Sequence, residues 1–169
     1  NAETLDAVQL FIPLRLMLED LGIEVSRVES GDAVWLDRLI ALFGEKAFPT
    51  TSKFSSYARG TAETDIDPLR NPDQKIINWM EHEEKLFRIY ERHLVQERLR
   101  LGFGAGGDDV DEFISFSLSV QNRRKSRVGH AFEGHLDHLF QLHGLRFEQG
   151  RGNGRVTENN AKPDFLFPG

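Results

Sequence analysis

The sequence predicts an α/β protein with a helical front half and, at its end, the first strands of a sheet. Apolar residues recur at helical spacing in successive stretches from Ala2 to His143. After Gly144 the pattern changes to short strand-like runs separated by a Gly/Asn-rich turn. The chain is 39% apolar and 28% charged, a globular balance, and it lacks the run of about 18 apolar residues that a membrane span needs.

The elements follow in order. Leu5, Val8, Phe11, Ile12, Leu16 and Leu18 mark a first helix or kinked pair, disturbed by Pro13 and closed by Gly22. Asp32 is placed to cap a second helix carrying Val34, Trp35, Ile40 and Leu42, with Gly44 ending it. From Phe48-Pro49-Thr50-Thr51 through Pro68 and Pro72 no period is sustained, and the Thr, Ser, Asp and Pro content reads as a long loop. Asp73 then caps a long helix with Ile76, Trp79, Met80, Leu86, Phe87, Tyr90, Leu94 and Leu99, broken by the glycines from Gly102 to Gly107. Val110, Phe113, Ile114 and Leu118 resume helical spacing. A further helix, headed by a basic cluster, carries Val128, Phe132, Leu136, Leu139 and Phe140 and stops at His143-Gly144. Leu145–Glu148 and Pro163–Phe167 read as two strands joined by a turn over Gly150–Asn160.

Both ends read as internal to a longer protein, and the 169 residues as one domain that is incomplete. The absence of cysteine and of a basic-then-apolar leader makes the cytoplasm the expected compartment. A net charge of −6 argues against a surface that binds polyanions everywhere, so a nucleic-acid contact is expected to be local. Arg123-Arg124-Lys125-Ser126-Arg127 puts four cations into five residues. His130 lies close enough to join it at a phosphate. His130, His135, His138 and His143 are spaced by five, three and five residues, which scatters them around a helix and argues against a zinc site.

Metal-assisted phosphodiester hydrolysis needs hard oxygen ligands on a strand end and a neighbouring helix. Asp164, after Pro163 at the start of an apolar strand, is one candidate. Glu133, at the border between the apolar stripe and polar face of its helix, is the other. A basic cluster, then an in-helix Glu, then a hairpin whose second strand opens with Pro-Asp looks like the start of the PD-(D/E)xK nuclease motif.

More specifically, Phe48-Pro49-Thr50-Thr51, the segment from Asp109 to Arg127, and Thr157-Glu158-Asn159 with Lys162-Pro163-Asp164-Phe165-Leu166-Phe167-Pro168 carry a wider likeness. Through them the chain resembles the C-terminal catalytic domain of EcoRII-type restriction endonucleases from about Phe48 onward. The resemblance implies a restriction-endonuclease-like core, a mixed sheet flanked by helices, with only its helical front and first strands in this chain. Residues 1–47 would be a helical lead-in and 48–169 the N-terminal part of the nuclease domain. It further implies a Mg²⁺-dependent homodimer cutting double-stranded DNA at a short G·C-rich site, with no membrane partner. Asp164 would match the metal-binding Asp and Glu133 the supporting helix carboxylate, while Arg123, Arg124, Lys125 and Arg127 would approach DNA. The strand bearing the catalytic lysine is expected beyond Gly169, and Lys162 does not replace it. Two rival readings stand beside this one: an inactive DNA-binding or dimerisation module derived from such a nuclease, and a helical interaction domain without a nucleic-acid role.

Overall fold

A computed structural model describes residues 30–150 and 163–168. The expected helix over Ala2–Leu21 and most of the turn after Gly150 lie outside the described residues. Helix α1 spans Ser30–Phe43, with Asp32 in its first turn. Leu36, Leu39, Ile40 and Phe43 face one side, and the helix stops where the Gly44 N–H donates to the Ile40 carbonyl at 2.8 Å.

Helix α2, Thr51–Thr61, occupies the stretch that the sequence presented as loop. Its inward residues Phe54, Ser55 and Ala58 include only one large apolar side chain, so the amphipathic signal is faint. Helix α3 runs for 30 residues, Pro72–Leu101, with Asn71 rather than Asp73 at the N-cap and Pro72 in the first turn, where its missing N–H is harmless. It ends at Gly102, whose φ of 72° is a conformation that side-chain-bearing residues rarely adopt.

Helix α4, Val110–Leu142, is a single helix of 33 residues. Asp109 caps it, its side chain accepting from the Glu112 N–H at 2.9 Å. The basic cluster therefore lies mid-helix and not at a helix head. No glycine or proline interrupts the sequence between Val110 and Val128, and the cations meet carboxylates on α3 instead of opposing a helix dipole.

Leu39, Phe54, Ala58, Leu86, Phe87 and Tyr90 make one core cluster from α1, α2 and α3. The Phe48 ring packs within 5.2 Å of those of Phe54, Phe87 and Tyr90. Tyr90 is fully buried, and its hydroxyl donates to the Gly44 carbonyl at 2.8 Å, anchoring the α1–α2 connection on α3. A smaller cluster, Ala62, Trp79 and Leu139, ties α2 and α3 to the far end of α4.

The expected mixed sheet flanked by helices is not what forms. Among the described residues the only sheet is an antiparallel pair, β1 Glu148–Gln149 with β2 Phe165–Leu166, in register Glu148 to Leu166 and Gln149 to Phe165. Phe147, Phe165 and Phe167 place their rings around Phe140 of α4 at 5.2–5.5 Å, so the hairpin is held by a helix and not by further strands. A side chain at Gly150 would collide with the Pro163 carbonyl, which lets the two segments close on each other.

Replacing Phe54 with alanine should cost about 3–5 kcal/mol, and Tyr90→Phe about 1 kcal/mol through the lost hydrogen bond. Urea unfolding monitored by circular dichroism measures both. Wild-type stability in Phe54→Ala would show that this cluster is not the core.

Candidate functional site

Two carboxylates removed from solvent dominate the face between α3 and α4. Glu83 is 0% and Glu91 1% exposed, two turns apart on α3. Arg127 of α4, 6% exposed, reaches Glu83 at 3.5 Å and also bonds Glu84, with its guanidinium 3.9 Å over the Phe87 ring. Arg124 donates from Nε to Glu91 at 2.7 Å, and Arg123 lies 4.0 Å from the same carboxylate. Burial pushes the Glu91 carboxyl above its ordinary value even against these cations. Burial also acts to raise Glu84, but the hydrogen bonds and charges of Arg88 and Arg127 prevail and hold it below its ordinary value.

His135 extends this network to α2. Arg59 Nη1 lies 3.1 Å from His135 Nδ1 and also donates to the Gly134 carbonyl at 3.3 Å. Guanidinium has no acceptor, so Nδ1 is the acceptor of that contact, and the other ring nitrogen, Nε2, lies 2.9 Å from Glu83 Oε2. Arg59, His135, Glu83 and Arg127 thus form one chain through three helices.

Between α2 and α4 lies a polar cleft of about 440 Å³. Thr51, Ser55 and Arg59 line it from α2, at successive turns. His130, Glu133 and Asp137 line it from one flank of α4, and Gln149 of β1 closes one end. Arg123 continues that flank by helical spacing, its guanidinium 5.6 Å over the Phe48 ring. Asp164 is exposed on the hairpin, its carbonyl accepting from the Gly150 N–H at 3.0 Å, beside the Gln149 that lines the cleft.

The structure therefore brings Glu133 and His130 into one cleft and sets Asp164 on the neighbouring hairpin. It divides the basic cluster. Lys125 is exposed on another face of α4, whereas Arg124 and Arg127 turn inward to α3. The other histidines disperse: His135 is in the buried network, His138 lies 5.6 Å from the Trp79 ring, and His143 caps α4 with Nε2 3.1 Å from the Pro68 carbonyl. Ser55, Arg59 and Asp137 were not singled out from sequence. Arg59 and Ser55 share a face only once residues 51–61 are helical, and Asp137 stands one turn after Glu133.

Among the described residues no three His, Asp or Glu groups gather closely enough to form a metal cage. Glu133, Asp137 and Asp164 nevertheless supply the hard oxygen chemistry that suits Mg²⁺, which binds through one or two carboxylates and completes its shell with water and substrate phosphate. No helix among the described residues is long and apolar enough to cross a membrane.

Residues 87–169 match the model of a family described as EcoRII C terminal. The matched segment contains the second half of α3, all of α4 and both strands of the hairpin. Over 121 residues, 72% of this chain, the sequence is 41% identical to the type II restriction enzyme EcoRII of Escherichia coli, and the chain spans 28% of that protein's length. The α4 flank and the Asp164 hairpin thus fall in a region similar to the EcoRII C-terminal domain.

Two outcomes test the electrostatics. Arg127→Ala strands a buried carboxylate and should cost about 3–5 kcal/mol, while Lys125→Ala should change stability by less than about 0.5 kcal/mol; equal unfolding midpoints would refute the inward assignment of Arg127. Burial holds His138 below its ordinary 6.5, helped by Arg59, and burial with Lys85 does the same for His82. A depressed folded pKa gives stability that is present above 6.5 and lost as pH falls through the folded value. The stability of wild type should therefore drop on acidification below 6.5 more steeply than that of a His82→Gln/His138→Gln variant. Glu91 titrates with the opposite sign in both proteins, so the difference between them is the readout, and parallel profiles would refute the histidine contribution.

Proposed function

We propose that the chain is the front part of the catalytic domain of a type II restriction endonuclease, hydrolysing phosphodiester bonds in both strands of DNA at a short G·C-rich site. The observation that carries this reading is the 41% identity to EcoRII over 121 residues. It is supported by a cleft whose α4 wall carries Glu133 and His130, beside a hairpin bearing Asp164 in a Pro-Asp step. In this reading the motif is of the PD-(D/E)xK type and the cofactor is Mg²⁺.

Asp164 and Glu133 would hold the cation, which when bound polarises the scissile phosphate and lowers the pKa of a coordinated water. Arg123 and His130, on the cleft flank of α4, meet the DNA backbone or base edges, a task that suits arginine's planar fork, while Lys125 lies on another face of the helix. Arg124 and Arg127 serve the same interface by holding α4 against α3, so that its flank faces the cleft. A homodimer completes the proposal. Ile114, Leu118, Val128 and Phe132, about half exposed along one stripe of α4, support it as a face for a second copy.

The test is cleavage of unmethylated plasmid DNA by the intact protein with and without Mg²⁺. Discrete fragments that require Mg²⁺ are expected. Asp164→Asn should abolish them while leaving DNA binding within about threefold, since a metal ligand contributes to the reaction more than to binding. Absent cleavage by a folded, DNA-binding wild type would favour an inactive DNA-binding module, Mg²⁺-independent cleavage would remove the cation from the reaction, and full cleavage by Asp164→Asn would remove Asp164 from the site.

A further inference from the structure

The α2 wall of the cleft has no part in the roles given so far, yet it is built of donors. Thr50 is the N-cap of α2 but makes no side-chain capping bond, and the first intrahelical bond is from the Phe54 N–H to the Thr50 carbonyl at 3.0 Å. The amides of Thr51, Ser52 and Lys53 precede it, at the positive end of the helix dipole. One turn behind them Ser55 is 1% exposed and lines the same cleft, and its hydroxyl has no hydrogen-bond partner. A buried hydroxyl left unpaired is costly, which makes it a donor held ready for something that enters the cleft. Arg59 follows at the next turn, its guanidinium fixed by His135 and the Gly134 carbonyl.

We propose that the first turn of α2, with Ser55 and Arg59 behind it, binds one phosphodiester of a DNA strand lying in the cleft. Amides at a helix start, a hydroxyl and a guanidinium are the donors that phosphate oxygens take. The wall opposite carries Glu133 and Asp137, whose charges oppose a free anion. A diester carries a single negative charge and two non-bridging oxygens. One oxygen would face the α2 donors and the other the carboxylate wall, where Glu133 and Asp137 would hold a divalent cation that offsets the repulsion. The donor set is a matter of geometry; the identity of the strand as DNA rests on the nuclease reading above.

The test combines two probes on the chain and on Ser55→Ala. Amide spectra are recorded during titration with thymidylyl-thymidine, which carries one diester, and separately with inorganic phosphate. Duplex DNA affinity is measured by anisotropy. The expected result is movement of the Thr51, Ser52 and Lys53 amides with the dinucleotide, loss of that movement in Ser55→Ala, and duplex binding weakened about tenfold in the variant, the scale of a hydrogen bond to a charged oxygen. Its thermal stability should be unchanged or higher, because the hydroxyl removed has no partner in the fold.

Amides that do not move, or duplex binding by Ser55→Ala at wild-type affinity, would overturn the site. Movement with inorganic phosphate but not with the dinucleotide would overturn the diester assignment. Dinucleotide-dependent movement in a wild type that does not bind duplex DNA would uphold the phosphate site and sink the nuclease reading instead.

Discussion

A carboxylate with no exposure to water, in the middle of a 30-residue helix, has to be met by donors from other elements, and Glu83 is met by two of them from α4. Desolvating a charge costs several kcal/mol, and mutual attraction recovers this only where geometry is good and the remaining polar atoms are paired. The consequence is specificity of placement. Arg127 and His135 lie on α4 at a separation that lets both reach Glu83, and Arg124 reaches Glu91 two turns further along α3. A shift of α4 by one residue would break all three contacts together, whereas Val, Leu and Ala at those positions would tolerate sliding. Arg59 then binds His135 from the other side and fixes α2 to the same register.

The cleft inherits this register. With Arg124, Arg127 and His135 turned inward, helical spacing puts His130, Glu133 and Asp137 on the adjoining flank, toward α2. The polar network and the polar cleft are two neighbouring faces of one helix. This explains how a chain of net charge −6 keeps a cationic cluster without presenting a basic surface. Much of the cluster's charge is matched internally, Arg124 and Arg127 against α3 carboxylates and Arg123 in part against Glu91, so that electrostatic attraction of a polyanion would be local.

Long, strongly periodic segments were legible from sequence: α3 with its glycine terminator, α1 up to Gly44, and the end of α4 at His143-Gly144. What escaped did so for identifiable reasons. Helix α2 has Ser, Thr and Lys over much of its length and only Phe54 and Ala58 as buried apolar positions, so it resembles a turn-rich loop until the aromatic residues of α3 are there to receive it. The basic cluster suggested a helix head because it separates two runs of apolar helical spacing, and the residues that compensate its charge mid-helix, Glu83 and Glu91, lie more than 30 positions earlier. The cleft residues Ser55 and Arg59 were invisible for the same reason as α2. The candidates Glu133 and Asp164 were legible because each sits in a local pattern, an amphipathic border and a Pro-Asp step. Their mutual placement is a tertiary property that no local pattern carries.

That placement does not depend on a sheet. In a mixed sheet, neighbouring strands would fix a metal-binding Asp through a ladder of backbone bonds, but β1 and β2 contribute only two residues each. The work falls to aromatic packing. Phe165 and Phe167, on one face of the second segment, and Phe147 from the first enclose Phe140, two turns after Glu133 on the same helix. A rigid helical stretch of about 10 Å therefore links the Glu133 carboxylate to the ring that anchors the hairpin. Asp164 lies in the bend just before β2 and is exposed, whereas Phe165 beside it is packed on Phe140. The geometry between Asp164 and Glu133 is thus a function of how well four phenylalanine rings pack. Loosening that packing would misplace the exposed carboxylate before it affected the buried Glu83 network.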